Sequence, residues 1–103
     1  MRPAVVILGP SALDLGQRIA AAISGDLHGY APRVAEGAIA FGQTAEHLRR
    51  LFTEGRPIVG ICAAGVLIRA LSPLLSDKRM EPAVVAVAED GSVAVPQIGR
   101  AHV

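Results

Sequence analysis

Aromatic residues are scarce in this 103-residue chain, which contains two phenylalanines, one tyrosine and no tryptophan. Proteins that bind single-stranded nucleic acids stack the bases on aromatic rings set beside basic residues. The chain carries ten Lys and Arg residues against nine Asp and Glu, so it also lacks the basic excess of a nucleic-acid-binding domain. We therefore expect no nucleic-acid partner.

Cysteine and long apolar runs are equally sparse. Cys62 is the only cysteine, which excludes an internal disulfide and indicates a reducing compartment. The apolar run at residues 4–8 is far shorter than a membrane span or the apolar core of a signal peptide. The sequence therefore predicts a cytoplasmic location and no membrane partner.

What the chain does contain is Ala, Val, Leu and Ile in patterns typical of an α/β domain. Continuous apolar runs indicate strands buried on both faces, and helical spacing of apolar residues indicates amphipathic helices between them. The predicted strands are 4–8, 27–30, 38–41, 57–61 and 83–88, and the predicted helices follow Ser11, follow Thr44 and cover 64–71. Ser11 and Thr44 are expected to act as N-caps. The buried stripe of the first helix is expected at Leu15, Ile19, Ala22 and Ile23.

The order of these elements predicts the topology. Strands that alternate with helices form right-handed βαβ units and a parallel sheet. Asp90 and Gly91 signal a tight hairpin turn, from which residues 93–95 return as an antiparallel strand at an edge. The sequence therefore predicts a three-layer, Rossmann-like α/β fold with a mostly parallel sheet and a C-terminal β-hairpin.

The turn at residues 60–65 is the segment best suited to approach a ligand. It reads Gly-Ile-Cys-Ala-Ala-Gly and joins a predicted strand to a predicted helix. Ligands of open α/β sheets bind at the carboxyl ends of strands, where helix N-termini present N–H groups. Val66 and Leu67 stand where a phosphate-binding loop needs Lys and Ser or Thr, which argues against nucleotide hydrolysis. A carboxylate or another anion fits better.

The reactive side chains near this turn each have a plain structural interpretation as well. Cys62 stands where a nucleophile could, but packing behind the helix is the favoured interpretation. Arg69 could bind a carboxylate or lie on the solvated face of its helix, and residues 77–79 could frame a site or form a solvated connector. His28 and His47 are predicted to lie on the surface. No metal site is predicted, because no metal-ligand spacing occurs.

A longer motif begins at the 60–65 turn. A glycine-initiated helix carrying an arginine is followed by Pro-Leu-Leu at 73–75, Asp-Lys-Arg at 77–79, Glu-Pro-Ala-Val-Val at 81–85 and an acidic-glycine turn at 89–91. These elements, in this order, closely resemble the N-terminal domain of the cobalamin-biosynthesis protein CbiG, the cobalt-precorrin-5A hydrolase.

The resemblance implies a function and a set of binding residues. The hydrolase opens the δ-lactone of a cobalt-precorrin and releases a two-carbon aldehyde, so the implied partner is a corrinoid intermediate. Gly60, Gly65, Arg69 and Lys78 are the expected substrate-binding residues, with Arg69 and Lys78 facing substrate acetates and propionates. No catalytic residue is assigned.

The N-terminal region is similar to the form of the family that is fused ahead of a precorrin-3B C(17)-methyltransferase. The implied partner is then a fused or associated methyltransferase of the cobalamin pathway. S-adenosylmethionine would belong to that domain, so no cofactor is expected in this chain.

The end of the sequence departs from the family pattern. After Pro96 the family continues with Pro-Leu-Leu, a Gly-His pair and a Gly-Ala-Asn run, whereas this chain ends Gln-Ile-Gly-Arg-Ala-His-Val. Its last six residues read like a translated sequencing adapter. We therefore expect residues 1–96 to be a CbiG-like domain that is incomplete at its C-terminus, and 97–103 to be a non-native tail. Because the family histidine and asparagine are missing, we expect the fragment alone to be inactive.

Three functions remain in competition. The leading one is part of a cobalt-precorrin-5A hydrolase-like domain that binds a corrinoid intermediate for lactone opening. The alternative is a non-catalytic corrinoid-binding or docking module of the fused methyltransferase. A stand-alone sensor of small anions is the least favoured.

Overall fold

The computed structural model describes residues 1–75 and 81–98. The strands are β1 (Ala4–Ile7), β2 (Asp26–Tyr30), β3 (Ile39–Phe41), β4 (Ile58–Ile61), β5 (Val84–Val87) and β6 (Ala94–Ile98). The helices are α1 (Leu13–Ile23), α2 (Thr44–Thr53) and α3 (Ala64–Leu71), with short 3-10 turns at Pro10–Ala12 and Ser72–Leu74. Within the described ranges, every helix is too short or too polar to cross a membrane.

The strands form one sheet in the order β3-β2-β1-β4-β5-β6. The central strand β1 pairs in parallel with β2 and with β4, so that Ala4 lies opposite both Asp26 and Ile58. Strand β6 runs antiparallel to β5 and lies at the edge, which confirms the predicted hairpin. The N–H of Gly91 donates to the carbonyl oxygen of Ala88 at 2.8 Å and that of Ala88 to the carbonyl oxygen of Val93 at 2.9 Å, so residues 89–92 form the tight turn predicted from Asp90 and Gly91.

Helices cover both faces of the sheet. Val5 and Ile7 of β1 belong to a buried cluster that includes Ala20 of α1. Ala4 and Val6 belong to a second cluster, with the buried leucines of α2 and α3. Because successive residues of a strand point to opposite faces, β1 contributes to both clusters and is buried along its whole length. The predicted three-layer α/β fold is confirmed.

The buried face of α1 differs from the prediction. Gly16 and Ala20 are buried, whereas Ile19 is only partly buried and Ile23 is 38% exposed. A Cβ on Gly16 would lie 2.8 Å from Cδ1 of Leu27, so α1 packs too close to the sheet for a larger residue at its centre. The apolar stripe that begins at Leu15 therefore lies beside the contact between α1 and the sheet, and Gly16 and Ala20 lie at its centre.

The two predicted N-caps are also wrong. Ser11 lies inside the 3-10 turn that Gly9 caps, and its hydroxyl is used elsewhere. Thr44 is the first residue of α2, and Gln43 takes the extended N-cap conformation without a side-chain hydrogen bond.

Candidate functional site

The carboxyl ends of the parallel strands meet at one edge of the sheet, and the loops after β1, β4 and β5 lie there. The hydroxyl of Ser11 donates a 3.2 Å hydrogen bond to the carboxylate of Glu89. Since β4 lies between β1 and β5, this bond spans the end of β4. The edge is the place where open α/β sheets bind ligands, so we take these loops as the frame of the candidate site.

The loop after β4 contains the predicted ligand-facing turn. Only Cys62 and Ala63 separate β4 from α3, and Ala63 takes an extended N-cap conformation without a side-chain hydrogen bond. The first turn of α3 consists of Ala64, Gly65 and Val66, whose side chains are small or apolar. Its N–H groups therefore carry the positive end of the helix dipole with no side-chain oxygen among the described residues to cap them.

Arg69 brings a full charge to this turn. The side chain is exposed, and a Cβ built on Gly65 would lie 3.1 Å from Nη1 of Arg69. The guanidinium therefore lies back along α3 against its first turn. The structure brings Gly65 and Arg69 together, and a ligand contact at either stays a prediction. Lys78 lies outside the described residues.

Gly60 has a packing function. It is buried in β4, and a Cβ at this position would lie 2.9 Å from Cδ2 of Leu67 and 3.3 Å from Sγ of Cys62. The missing side chain lets α3 pack closely on the sheet. A ligand contact at Gly60 stays a prediction.

Cys62 does not have the character of a nucleophile. Burial, together with the negative charge of Glu89, raises the pKa of its thiol to about 11. The thiol is protonated at neutral pH, whereas a reactive cysteine needs a lowered pKa. The structure therefore supports packing behind the helix.

Sequence patterns did not indicate a second arginine at this edge. A Cβ built on Gly9 would lie 3.6 Å from the guanidinium carbon of Arg33, so Arg33 covers the loop after β1. Arg33 belongs to the irregular segment between β2 and β3, where periodicity gives no orientation. Arg33 could have been predicted at this edge from one general rule. Chain segments that leave parallel strands gather at the same edge of the sheet.

A groove of about 300 Å³ lies between α2 and α3. It is lined by Thr44, Ala45, Arg49, Val66, Arg69 and Ala70. Nε of Arg49 donates a 2.8 Å hydrogen bond to the carbonyl oxygen of Ala70, which links the two helices. The helical spacing of the apolar residues of α2 predicts that Arg49 lies in water on the polar face of the helix. The structure shows that this face borders α3.

The two histidines correct the prediction of surface positions. Nδ1 of His28 in β2 and Nε2 of His47 in α2 lie 2.8 Å apart, and the side chains are 4% and 9% exposed. The ring of His47 stacks on Phe41, with ring centroids 4.4 Å apart. Burial lowers the pKa of both, with that of His28 reaching about 4. The pair therefore joins α2 to the sheet.

A cavity of about 370 Å³ adjoins this pair, between β3 and α2. Its charged lining is mixed, because Glu46 and Glu54 alternate with Arg50 and Arg56. Among the described residues, no three His, Cys, Asp or Glu side chains are grouped to hold a metal ion.

Comparison with known proteins identifies relatives. Residues 46–102 match the family described as Cobalamin synthesis G N-terminal. The Cobalt-precorrin-5A hydrolase of Salmonella typhimurium is 35% identical over 89 residues, which are 85% of this chain and 25% of that protein. A crystal structure of a cobalamin biosynthesis protein G homologue from Sulfolobus solfataricus has a TM-score of 0.66 and 14% identity, covering 95% of this chain and 29% of that one.

The shared fold is that of an α/β domain with a mostly parallel sheet and helices on both faces. Because the family match covers more than half of the chain, the chain belongs to the cobalamin synthesis G N-terminal family. The resemblance drawn from the motifs at 60–91 is thus confirmed. The chain spans about a quarter of the length of the Salmonella hydrolase.

Proposed function

We propose that this chain functions in cobalamin biosynthesis as the corrinoid-binding part of a cobalt-precorrin-5A hydrolase. The observation that carries the proposal is the position of Arg69 against Gly65, at the first turn of α3 and at the carboxyl edge of the sheet. Both residues lie within the segment that matches the family. A guanidinium beside helix N–H groups suits a carboxylate side arm of a corrinoid.

The reaction sets requirements that the described residues meet only in part. Opening a lactone needs a base that activates water and hydrogen-bond donors for the developing oxyanion. Arg69 and the N–H groups at the start of α3 are donors, and no base is assigned here. We therefore assign the binding of substrate to this domain, with Gly60 and Lys78 as further expected contacts.

Titration of the chain with a cobalt corrinoid that has free acetate and propionate arms tests this proposal. Binding is followed through the corrinoid absorbance spectrum. We expect Arg69→Gln to weaken binding about tenfold or more, because a charge-assisted bidentate contact stabilises by about 1.5–3 kcal/mol.

Arg18→Gln provides the matched control. Arg18 is an exposed arginine on α1, on the opposite face of the sheet, and its ion pair among the described residues is with Asp14 at 3.3 Å. The Arg18→Gln substitution removes the same charge as Arg69→Gln and should leave the affinity for the corrinoid unchanged. Absence of binding by the unaltered chain, or equal affinities for both variants, would contradict the proposal.

The alternative proposal is a corrinoid-binding or docking module without chemistry of its own, associated with a precorrin-3B C(17)-methyltransferase in the cytoplasm. In that case S-adenosylmethionine is used by the methyltransferase and no cofactor by this domain. The similarity of the N-terminal region to the fused form supports it. The sequence of the whole gene separates the two: a Gly-His pair and a Gly-Ala-Asn run favour catalysis, and their absence favours docking.

A further inference from the structure

We propose that the groove between α2 and α3 selects ligands with free carboxylates over the corresponding amides, and that Arg49 determines this specificity. The inference rests on the proposed corrinoid-binding function and extends it to a residue on a second helix. It concerns the side arms of the ligand and not the metal or the ring.

The position of Arg49 is fixed by α3. Its Nε donates to the carbonyl oxygen of Ala70 at 2.8 Å, and within residues 1–75 and 81–98 it makes no other side-chain hydrogen bond. The planar guanidinium is therefore held in one orientation, with both Nη nitrogens left to donate. A side chain that is ordered before binding loses less entropy when the ligand arrives.

The charge of the groove is of one sign. The six described residues that line it include Arg49 and Arg69 and no Asp or Glu. The ion pairs found in the described parts of the chain engage Arg2, Arg18 and Arg56, and neither of the groove arginines. The cavity on the other flank of α2 differs, because acidic and basic side chains alternate there. An anion is thus attracted to the α2–α3 groove specifically.

Hydrogen-bond chemistry turns this charge into selectivity. A guanidinium only donates, and a carboxylate only accepts, so each oxygen can take N–H groups from Arg49 or Arg69. A primary amide carries an NH₂ group where the carboxylate has its second oxygen. The two N–H donors of that group would face the N–H donors of Arg49 and Arg69. The amide form therefore loses both the charge attraction and part of the hydrogen bonding.

The place and size of the groove fit a side arm. Helices α2 and α3 both follow parallel strands, so their N-termini lie at the carboxyl edge, and the groove reaches Thr44 at the start of α2. Its volume of about 300 Å³ is at the low end of the range for ligand pockets, about 300–1,000 Å³. A macrocycle would remain outside, over the edge, with one arm in the groove.

The test compares two probes: a corrinoid with free side-chain carboxylates, and the same corrinoid with those carboxylates amidated. Affinities are measured by absorbance titration for the unaltered chain, Arg49→Gln, Arg49→Lys and the control Arg18→Gln. We expect the unaltered chain to bind the acid form at least about tenfold more tightly than the amide. Arg49→Gln should weaken binding of the acid form and so reduce the preference for it, with a remainder due to Arg69, and should leave amide binding unchanged. Arg49→Lys should retain part of the preference, because it keeps the charge and loses the fork.

The outcomes separate the two proposals. If neither corrinoid binds the unaltered chain, the proposed function fails and this inference fails with it. If both forms bind equally, or if Arg49→Gln weakens both equally or neither, the groove is not selective and the inference alone is overturned. Thermal unfolding of each variant checks that loss of the bond to Ala70 has not unfolded α3, and Arg49→Lys decides the question if Arg49→Gln has.

Discussion

Among single residues, the pair formed by His28 and His47 has the most direct energetic consequence. While both rings are neutral, one nitrogen of the 2.8 Å contact donates and the other accepts. Nε2 of His28 is buried and finds no partner among the described residues. If His28 took up a proton, its N–H at this position would therefore have no acceptor among them. Burial, with the nearby charges of His47 and Arg56, lowers the pKa of His28 from 6.5 to about 4.

This pair predicts a pH-dependent stability. Because the folded pKa lies below the unfolded value of 6.5, the unfolded chain binds more protons between pH 6.5 and about 4. The contribution of the pair is complete above pH 6.5 and is lost progressively as the pH falls towards 4. Urea unfolding monitored by circular dichroism across this range should show the decline. The pKa of Asp26 is also lowered from 3.8, chiefly by its hydrogen bond from Arg2, so its carboxylate adds stability that is lost as the pH falls further.

A double substitution supplies the control for the histidines. His28→Leu with His47→Leu removes both titrating rings together and leaves no unpaired partner, so the decline between pH 6.5 and 4 should flatten. His47→Leu alone leaves Nδ1 of His28 buried without a partner and should cost about 1–3 kcal/mol at neutral pH. An unchanged pH profile in the double variant would assign the decline to other groups.

At the scale of elements, the sequence predicts what depends on local pattern and misses what depends on tertiary contact. The bounds of α3 were predicted, because Ala64 follows a strand and Pro73 limits the helix. The buried face of α1 was missed, because close packing at Gly16 is set by Leu27, which is distant in sequence. His47 looks polar within α2, yet the aromatic ring of Phe41 buries it.

The candidate site divides in the same way. Gly65 and Arg69 are separated by one helical turn, so their proximity follows from α3 itself. Arg49 reaches the groove only because α2 packs beside α3, and Arg33 reaches Gly9 only through an irregular loop. Neither contact can be predicted from the spacing of apolar residues along the sequence.

The packing of α3 on β4 yields a prediction at this scale. Gly60→Ala would place a Cβ 2.9 Å from Leu67, and overpacking of this kind destabilises by about 1–3 kcal/mol. Gly42→Ala is the matched control, because a Cβ there would meet nothing within 4 Å. Chemical denaturation of both variants measures the difference. Equal stabilities of the two variants would show that Leu67 does not fill the space at Gly60. The prediction of a ligand contact at Gly60 would then be the remaining explanation of the glycine.

For the molecule as a whole, β6 is one of the two edge strands of the sheet, with β3 at the opposite side. Val93 and Val95 are 53% and 46% exposed, and β6 has no partner on its outer side within the described residues. Beside it lies an apolar groove of about 310 Å³, which includes Val95, Ala86 and Cys62. An apolar edge strand pairs readily with another chain, although Pro96, which has no N–H, removes one donor from β6.

We therefore expect the chain to self-associate as its concentration rises. Val95→Lys should reduce the association, because a charged side chain on an edge strand opposes pairing. Ile68→Lys, at a position 47% exposed on α3 and away from the sheet edge, is the control and should not reduce it. Sedimentation velocity over a range of concentrations gives the measurement. Equal association in both variants would place the contact elsewhere.

The central position of β1 has a consequence for how the protein is made. Residues 4–7 leave the ribosome well before residues 58–61, which form one of their two partner strands. Until β4 emerges, a strand that is fully buried in the finished domain has one edge without its partner. Contacts so far apart in sequence also slow folding. The pairing of β1 is therefore complete only after β4 has been made.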